Sequence, residues 1–163
     1  MKRTMKVVIP LLAVATLGLS PGSLEAQTQQ APPAPRGAQA ARPQRQVVVH
    51  LTKDAGDLHA VAMSLDLAQA LQEGGARVTL FLDLEGVRLA DTRVPNQLGW
   101  GMGKQTIADR YNRFVKAGGS VLLCPHCAEN AGLTTANLRQ GARLPTPRQL
   151  AETILQADQV IDY

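Results

Sequence analysis

The chain has 163 residues, enough for one domain and a single core, and its 45% hydrophobic and 18% charged residues are ordinary for a globular fold. Aromatic residues make up only 3%, which excludes a base-stacking or sugar-stacking surface and leaves an aliphatic core. The net charge of +4 does not mark a nucleic-acid binder: six of the 17 basic residues (Lys2, Arg3, Lys6, Arg36, Arg42, Arg45) and one of the 13 acids (Glu25) precede Gln46, leaving 11 basic against 12 acidic side chains in residues 46–163.

Lys2, Arg3 and Lys6 stand before an apolar stretch of 13 residues, Val7 to Leu19, which Pro21 and Gly22 break ahead of small residues. This is the pattern of a cleavable secretory signal peptide over residues 1–26, with a cut expected after Ala26. The apolar stretch falls short of the roughly 18 residues that read as a bilayer-crossing helix. No second such stretch follows, so no stable membrane insertion is expected. Residues 27–46 (QTQQAPPAPRGAQAARPQRQ) offer nothing for a core to bury and read as a disordered linker. The expected location is therefore the periplasm or the cell exterior.

Val47, Val48, Val49 and Leu51 form a β-branched apolar run, the pattern of a strand inside a parallel sheet. Asp57 can cap a helix whose apolar face is Val61, Leu65, Ala68 and Leu71, and which must stop at Gly74-Gly75. Arg77 to Leu82 predicts a second strand. Past the glycine-rich stretch 99–103, Ile107, Tyr111, Phe114 and Val115 mark one face of a second helix ending at Gly118-Gly119. Ser120 to Leu123 predicts a third strand, Leu150, Ile154 and Leu155 a last helix, and Val160-Ile161 a short closing strand. Strands alternating with helices mean βαβ units, so the fold class is α/β: a single three-layer domain, residues 47–163, with a mostly parallel sheet flanked by helices. In such sheets ligands bind beyond the carboxyl ends of the strands. That rule brings 50–54, 83–86 and 124–127 to one edge.

The chemistry concentrates in Cys124-Pro125-His126-Cys127, where the third strand passes into a short helix. A cysteine at a helix start faces unpaired N–H groups and the positive end of the dipole, both of which favour thiolate. Cys124 is thus the candidate nucleophile, and Cys127, three residues on, can resolve a product on it, pair with it or share a metal. His126 would favour the thiolate further if its ring points toward the sulfur. A structural disulfide is the plainer alternative, although so short a loop would staple little. His50 and His59 follow no metal-ligand spacing and read better as solvated or capping residues. Lys53, Asp54 and Asp57 read as a charged loop that caps a helix. Gly99 to Lys104 superficially suggests a phosphate loop, but Gly99 is one residue too close to Gly103-Lys104, Gln105 stands where Ser or Thr is required, and no strand leads directly into it.

Five segments in this order and spacing, HLTKDAGDLHAVAMSLDLAQAL from His50, FLDLEGV from Phe81, VLLCPHCAENAGL from Val121, NLRQGARL from Asn137 and the closing ADQVIDY, make the domain similar to the DsrE family of sulfur-relay proteins. The resemblance implies a compact α/β domain assembling into homo-oligomers, trimers or hexamers. It also implies a persulfide carried on the cysteine after the third strand, here Cys124. Its partners would be a sulfur donor and acceptor thiols or proteins, and no cofactor or metal is implied. The secretory leader and the second cysteine, Cys127, depart from the cytoplasmic relay members, so an exported member needs other donors, and Cys127 would act as a resolving thiol. Two other functions use the same residues. One is a thiol-disulfide redox protein built on the Cys124–Cys127 dithiol, whose placement after the third strand is wrong for a thioredoxin fold. The other is a non-catalytic module holding a soft metal through Cys124, Cys127 and His126.

Overall fold

The computed structural model describes residues 43–95, 97–101 and 103–163. The expected signal peptide, and the expected linker up to residue 42, lie outside them. Gln46, assigned to the linker from composition, is already the first residue of the first strand, and its N–H donates to the Asp158 carboxylate at 2.7 Å.

Five strands form one sheet: β1 (Gln46–Leu51), β2 (Arg77–Leu82), β3 (Ser120–Leu123), β4 (Ala142–Arg143) and β5 (Gln159–Asp162). They lie in the order β4-β3-β2-β1-β5, and every pairing is parallel. The expected strands are all present; β4, two residues long, is an addition. It was illegible because two residues carry no periodicity, and it forms only where Gly141, at φ +86°, turns the chain onto the edge of β3.

The helices are α1 (Leu58–Glu73), α2 (Ile107–Lys116), α3 (Pro125–Asn130) and α4 (Pro147–Leu155). Asp57 caps α1 by accepting from the Ala60 N–H at 3.0 Å, as its position predicts. Thr106 and Asp109 close a reciprocal box at the start of α2, and Thr146 with Gln149 does the same for α4. Right-handed crossovers that step from β1 to β2 to β3 put α1 and α2 on one face of the sheet, where they pack together, and the return to β5 at the far edge carries α4 to the other face, where Gln149 and Thr153 share a depression with Leu122.

Alternation sorts the strand side chains between two faces, and the face opposite α1 and α2 is buried only in part, at Val48 and Leu122. Val47, Val49, Leu51, Val78, Leu80, Leu82, Val121 and Leu123 join Leu65, Tyr111 and Phe114 in one core on the α1–α2 face. On the opposite face Thr79 and Phe81 are only half-buried, and α4 has no buried residue, with Leu155 84% exposed. Glycine has a specific duty at Gly86, where a Cβ would stand 2.2 Å from the Leu51 carbonyl oxygen. Only glycine lets the segment after β2 lie against the end of β1. Among the described residues no helix is long and apolar enough to cross a membrane.

Candidate functional site

The carboxyl ends of β1, β2 and β3 meet along one edge, as the parallel topology requires, and bring together His50, Asp83 and the two cysteines. Cys124 ends β3: its N–H donates to the Leu82 carbonyl at 2.8 Å, and its carbonyl accepts from Ala128 at 2.9 Å to start α3. It is the N-cap of α3, with Pro125 in the first turn, where the absent N–H costs nothing. The Cys124 thiol makes no capping hydrogen bond to the helix start, so the contact expected from the dipole argument is not the one made. Its neighbour is Cys127, one turn along, close enough that each thiol bears on the other's proton. Both sulfurs are partly exposed free thiols, and no disulfide joins them.

Burial pushes the Cys127 thiol above its ordinary range; the hydrogen bond to Cys124 pushes it the same way, as does the Asp83 charge, while the Leu84 N–H works against them. Cys127 thus holds its proton more firmly than a free thiol does. Leu84 reaches it through an unusual backbone: its φ of +46° makes it the one non-glycine residue with positive φ among those described. A left-handed turn at a leucine stores strain, and here it lies on the Cys127 side of the dithiol.

The thiols open to different sides. Cys124 shares an almost wholly apolar depression with Pro125, His126, Pro147, Leu150 and Ile154, against α4. Cys127 borders a more polar one with Leu84, Glu85, Arg88 and Asn130.

His126 is exposed on the Cys124 side, and it has no hydrogen bond or ion pair to either thiol. His50 is closer to the chemistry than its spacing suggests. Its Nδ1 lies 2.6 Å from the Asp162 carboxylate of β5, and its Nε2 lies 3.0 Å from Oδ1 of Asp83. The second contact has ion-pair distance without hydrogen-bond alignment, and both of its atoms are shut off from solvent. Stacking on Phe81 at 4.9 Å fixes the ring. Burial lowers His50, yet Asp162 and Asp83 together outweigh it and hold the imidazole above its ordinary value. His59 is elsewhere, stacked on Trp100 at 4.2 Å, and Asp54 and Asp57 cap helices. Among the described residues no group of three or more His, Cys, Asp or Glu side chains could hold a metal, so Cys124, Cys127 and His126 are not gathered as a ligand set.

Asp83, Leu84 and Asp162 were missed as individual site residues. The signal that could have found them is the rule that already brought 83–86 to the site edge, extended to the end of the closing strand.

The remaining quoted segments acquire structural roles. Arg139 donates from Nε to the Leu89 carbonyl at 3.0 Å and from its guanidinium to the Val94 carbonyl, tying down the stretch that follows β2. ADQVIDY supplies β5 and the Asp162 contact to His50.

Residues 46–163 match the DsrE/DsrF-like family. Among solved structures the chain is similar to the ychN protein of E. coli, at 27% identity and a TM-score of 0.60, covering 74% of this chain and 100% of that one. A protein of unknown function, MTH1491 from Methanobacterium thermoautotrophicum, shares the fold at 12% identity and a TM-score of 0.57, covering 74% and 100%. BT1422 from Bacteroides thetaiotaomicron, also of unknown function, shares it at 17% identity and 0.51, covering 72% and 94%. No curated protein matches. With the match spanning the whole sheet and the Cys124 turn, the chain belongs to the DsrE/DsrF-like family.

Proposed function

We propose that the protein is a sulfane-sulfur carrier of sulfurtransferase type, with Cys124 as acceptor and Cys127 as resolving thiol. The observation that carries this reading is a free dithiol at the end of β3 whose sulfurs open to different sides, Cys124 onto an apolar depression and Cys127 onto a polar one. Family membership supports it at the level of sulfur-relay chemistry. In loading, the Cys124 thiolate attacks the outer sulfur of a donor persulfide, a Cys124–S–SH forms, and the donor thiolate leaves. In release, a thiolate on Cys127 attacks the Cys124 sulfur, the two cysteines are oxidised to a disulfide, and the sulfane sulfur departs reduced as hydrosulfide. A dithiol reductant then resets the pair. Handing the outer sulfur directly to an acceptor thiol leaves both cysteines reduced. His126, at the rim of the Cys124 depression, belongs to the loading side.

The leader over residues 1–26 supports action outside the cytoplasm, in the periplasm or beyond. The unburied α4, with exposed Ile154 and Leu155, and the exposed Val160 on β5 support assembly into a homo-oligomer, which sedimentation at micromolar concentration tests.

The deciding experiment is intact mass spectrometry of the purified protein before and after polysulfide. A gain of about 32 Da per sulfur on the Cys124 peptide, reversed by dithiothreitol, supports the carrier. A loss of about 2 Da with no sulfur added means that the dithiol merely oxidises, and a thiol-disulfide redox function takes its place.

A further inference from the structure

His50 is the one imidazole near the dithiol that is locked on both sides. Three strands supply the lock: His50 pairs in register with Phe81 of β2 and with Asp162 of β5, so the ring stands between the carboxylate of β5 and the one that follows β2. Main-chain bonds brace it, because the Tyr163 N–H donates to the His50 carbonyl at 2.9 Å and the Thr52 N–H donates to Tyr163 at 3.1 Å. Asp83 is the shared member. Its carboxylate faces His50, and its backbone stands between Leu82, whose carbonyl accepts the Cys124 N–H at 2.8 Å, and the strained Leu84, which lines one depression with Cys127. From there the Asp83 charge favours the protonated form of Cys127.

We propose that His50 is a positioning residue for the dithiol: protonated between Asp162 and Asp83, it neutralises the carboxylate that stands at the dithiol's edge of the sheet and so sets how readily Cys127 becomes a thiolate. The charged groups around the pair are few. Asp162 comes from β5 and Asp83 from the end of β2; beside Cys127 stand Cys124 and, from the stretch after β2, Glu85 and Arg88, which satisfy each other at 2.8 Å. While His50 carries its proton, Asp83 is compensated. Once His50 loses it, the Asp83 charge falls uncompensated on Cys127 and holds its proton on. Two titrations that normally add therefore oppose each other: rising pH exposes more thiolate, while loss of the His50 proton makes that thiolate harder to form. The consequence for release rests on the carrier reading; the effect on Cys127 does not.

Alkylation of the purified protein by iodoacetamide from pH 6 to 9, with the rate at each cysteine resolved by peptide mass, tests this. In the wild type the Cys127 rate should rise less than tenfold per pH unit over the range in which His50 loses its proton. His50→Gln keeps a polar side chain but no charge. It should slow Cys127 near pH 6.5 by roughly twofold or more, as loss of a nearby compensating charge does across partly solvated space, and restore the full slope. Asp83→Asn should speed Cys127, and adding His50→Gln to it should change nothing further. A Cys127 rate and profile unchanged in His50→Gln overturn the proposal, as does a slowing that persists in the Asp83→Asn background, which would make His50 merely structural. If His50→Gln fails to fold, Asp83→Asn decides alone, and an unaltered Cys127 rate in it overturns the proposal. Polysulfide loading of Cys124, measured in parallel, reports on the carrier function separately.

Discussion

Nδ1 of His50 lies 2.6 Å from the carboxylate of Asp162, so the first strand and the last meet in a charged contact across 112 residues of sequence. The sign of its pH dependence follows from His50 being held above its ordinary value near 6.5. A group raised in the folded state stabilises fully below its unfolded value, and that contribution is lost as pH climbs through the folded one. The melting temperature should therefore be higher at pH 6 than at pH 8, falling across that interval. Calorimetry of His50→Gln or Asp162→Asn should show a flatter profile; a wild-type curve that rises over the same interval contradicts the contact.

Gly86 is required by space rather than by backbone angle. Its N–H donates to the Asp83 and Thr52 carbonyls at 2.8 and 3.1 Å, and a methyl group would collide with the Leu51 backbone. Gly86→Ala should cost about 3 kcal/mol or more, because backbone cannot swing aside as a side chain would. Denaturant unfolding measures the loss. A variant as stable as the wild type would mean that the stretch after β2 sits further from β1.

Leu84 offers the opposite case. A leucine at φ +46° bears a penalty of about 1–2 kcal/mol that glycine escapes, against roughly 0.5–1 kcal/mol of extra chain entropy in the unfolded state. With the side chain 62% exposed, little apolar burial is forfeited. Leu84→Gly should be neutral to stabilising by about 0.5 kcal/mol in the same unfolding measurement. A loss above about 1 kcal/mol would show that the leucine side chain matters more than its backbone.

Arg139 donates to two main-chain carbonyls of the stretch following β2, and burial lowers its guanidinium, a sign that it works partly withdrawn from water. Arg139→Met keeps much of the bulk and removes both bonds, which should cost about 2 kcal/mol. Hydrogen exchange near Leu89 and Val94 should quicken in the variant, while β1 stays protected. Uniform exchange across the sheet would instead make Arg139 a global support.

In the proposed carrier, Cys124→Ser should abolish persulfide loading, whereas Cys127→Ser should load normally and release slowly. Mass spectrometry of the loaded protein over time reads both. Undiminished uptake by Cys124→Ser would move the acceptor elsewhere.

Local chemistry in the sequence determined the elements themselves. Runs such as Val47–Val49 and Val121–Leu123 have one good solution as strands, the apolar spacing of Tyr111 and Phe114 has one as a helix, and Asp57, Thr106 and Thr146 announce helix starts through bonds made within three residues. The βαβ order, and with it the edge where Cys124 and Cys127 meet the end of β2, followed from the right-handed crossover rule. Tertiary structure alone decided what surrounds the sulfurs. Asp162 reaches His50 only because β5 crosses to the far side of β1, and the turn after Asp83 closes onto Leu51 only because residue 86 is glycine. A dipole argument could likewise favour a thiolate at Cys124, but the turn that lines the Cys127 side of the pair runs through Leu84 at a strained angle that no residue preference announces. Such angles persist only where surrounding packing over-determines them, and packing is a property of the assembled sheet rather than of any stretch of chain.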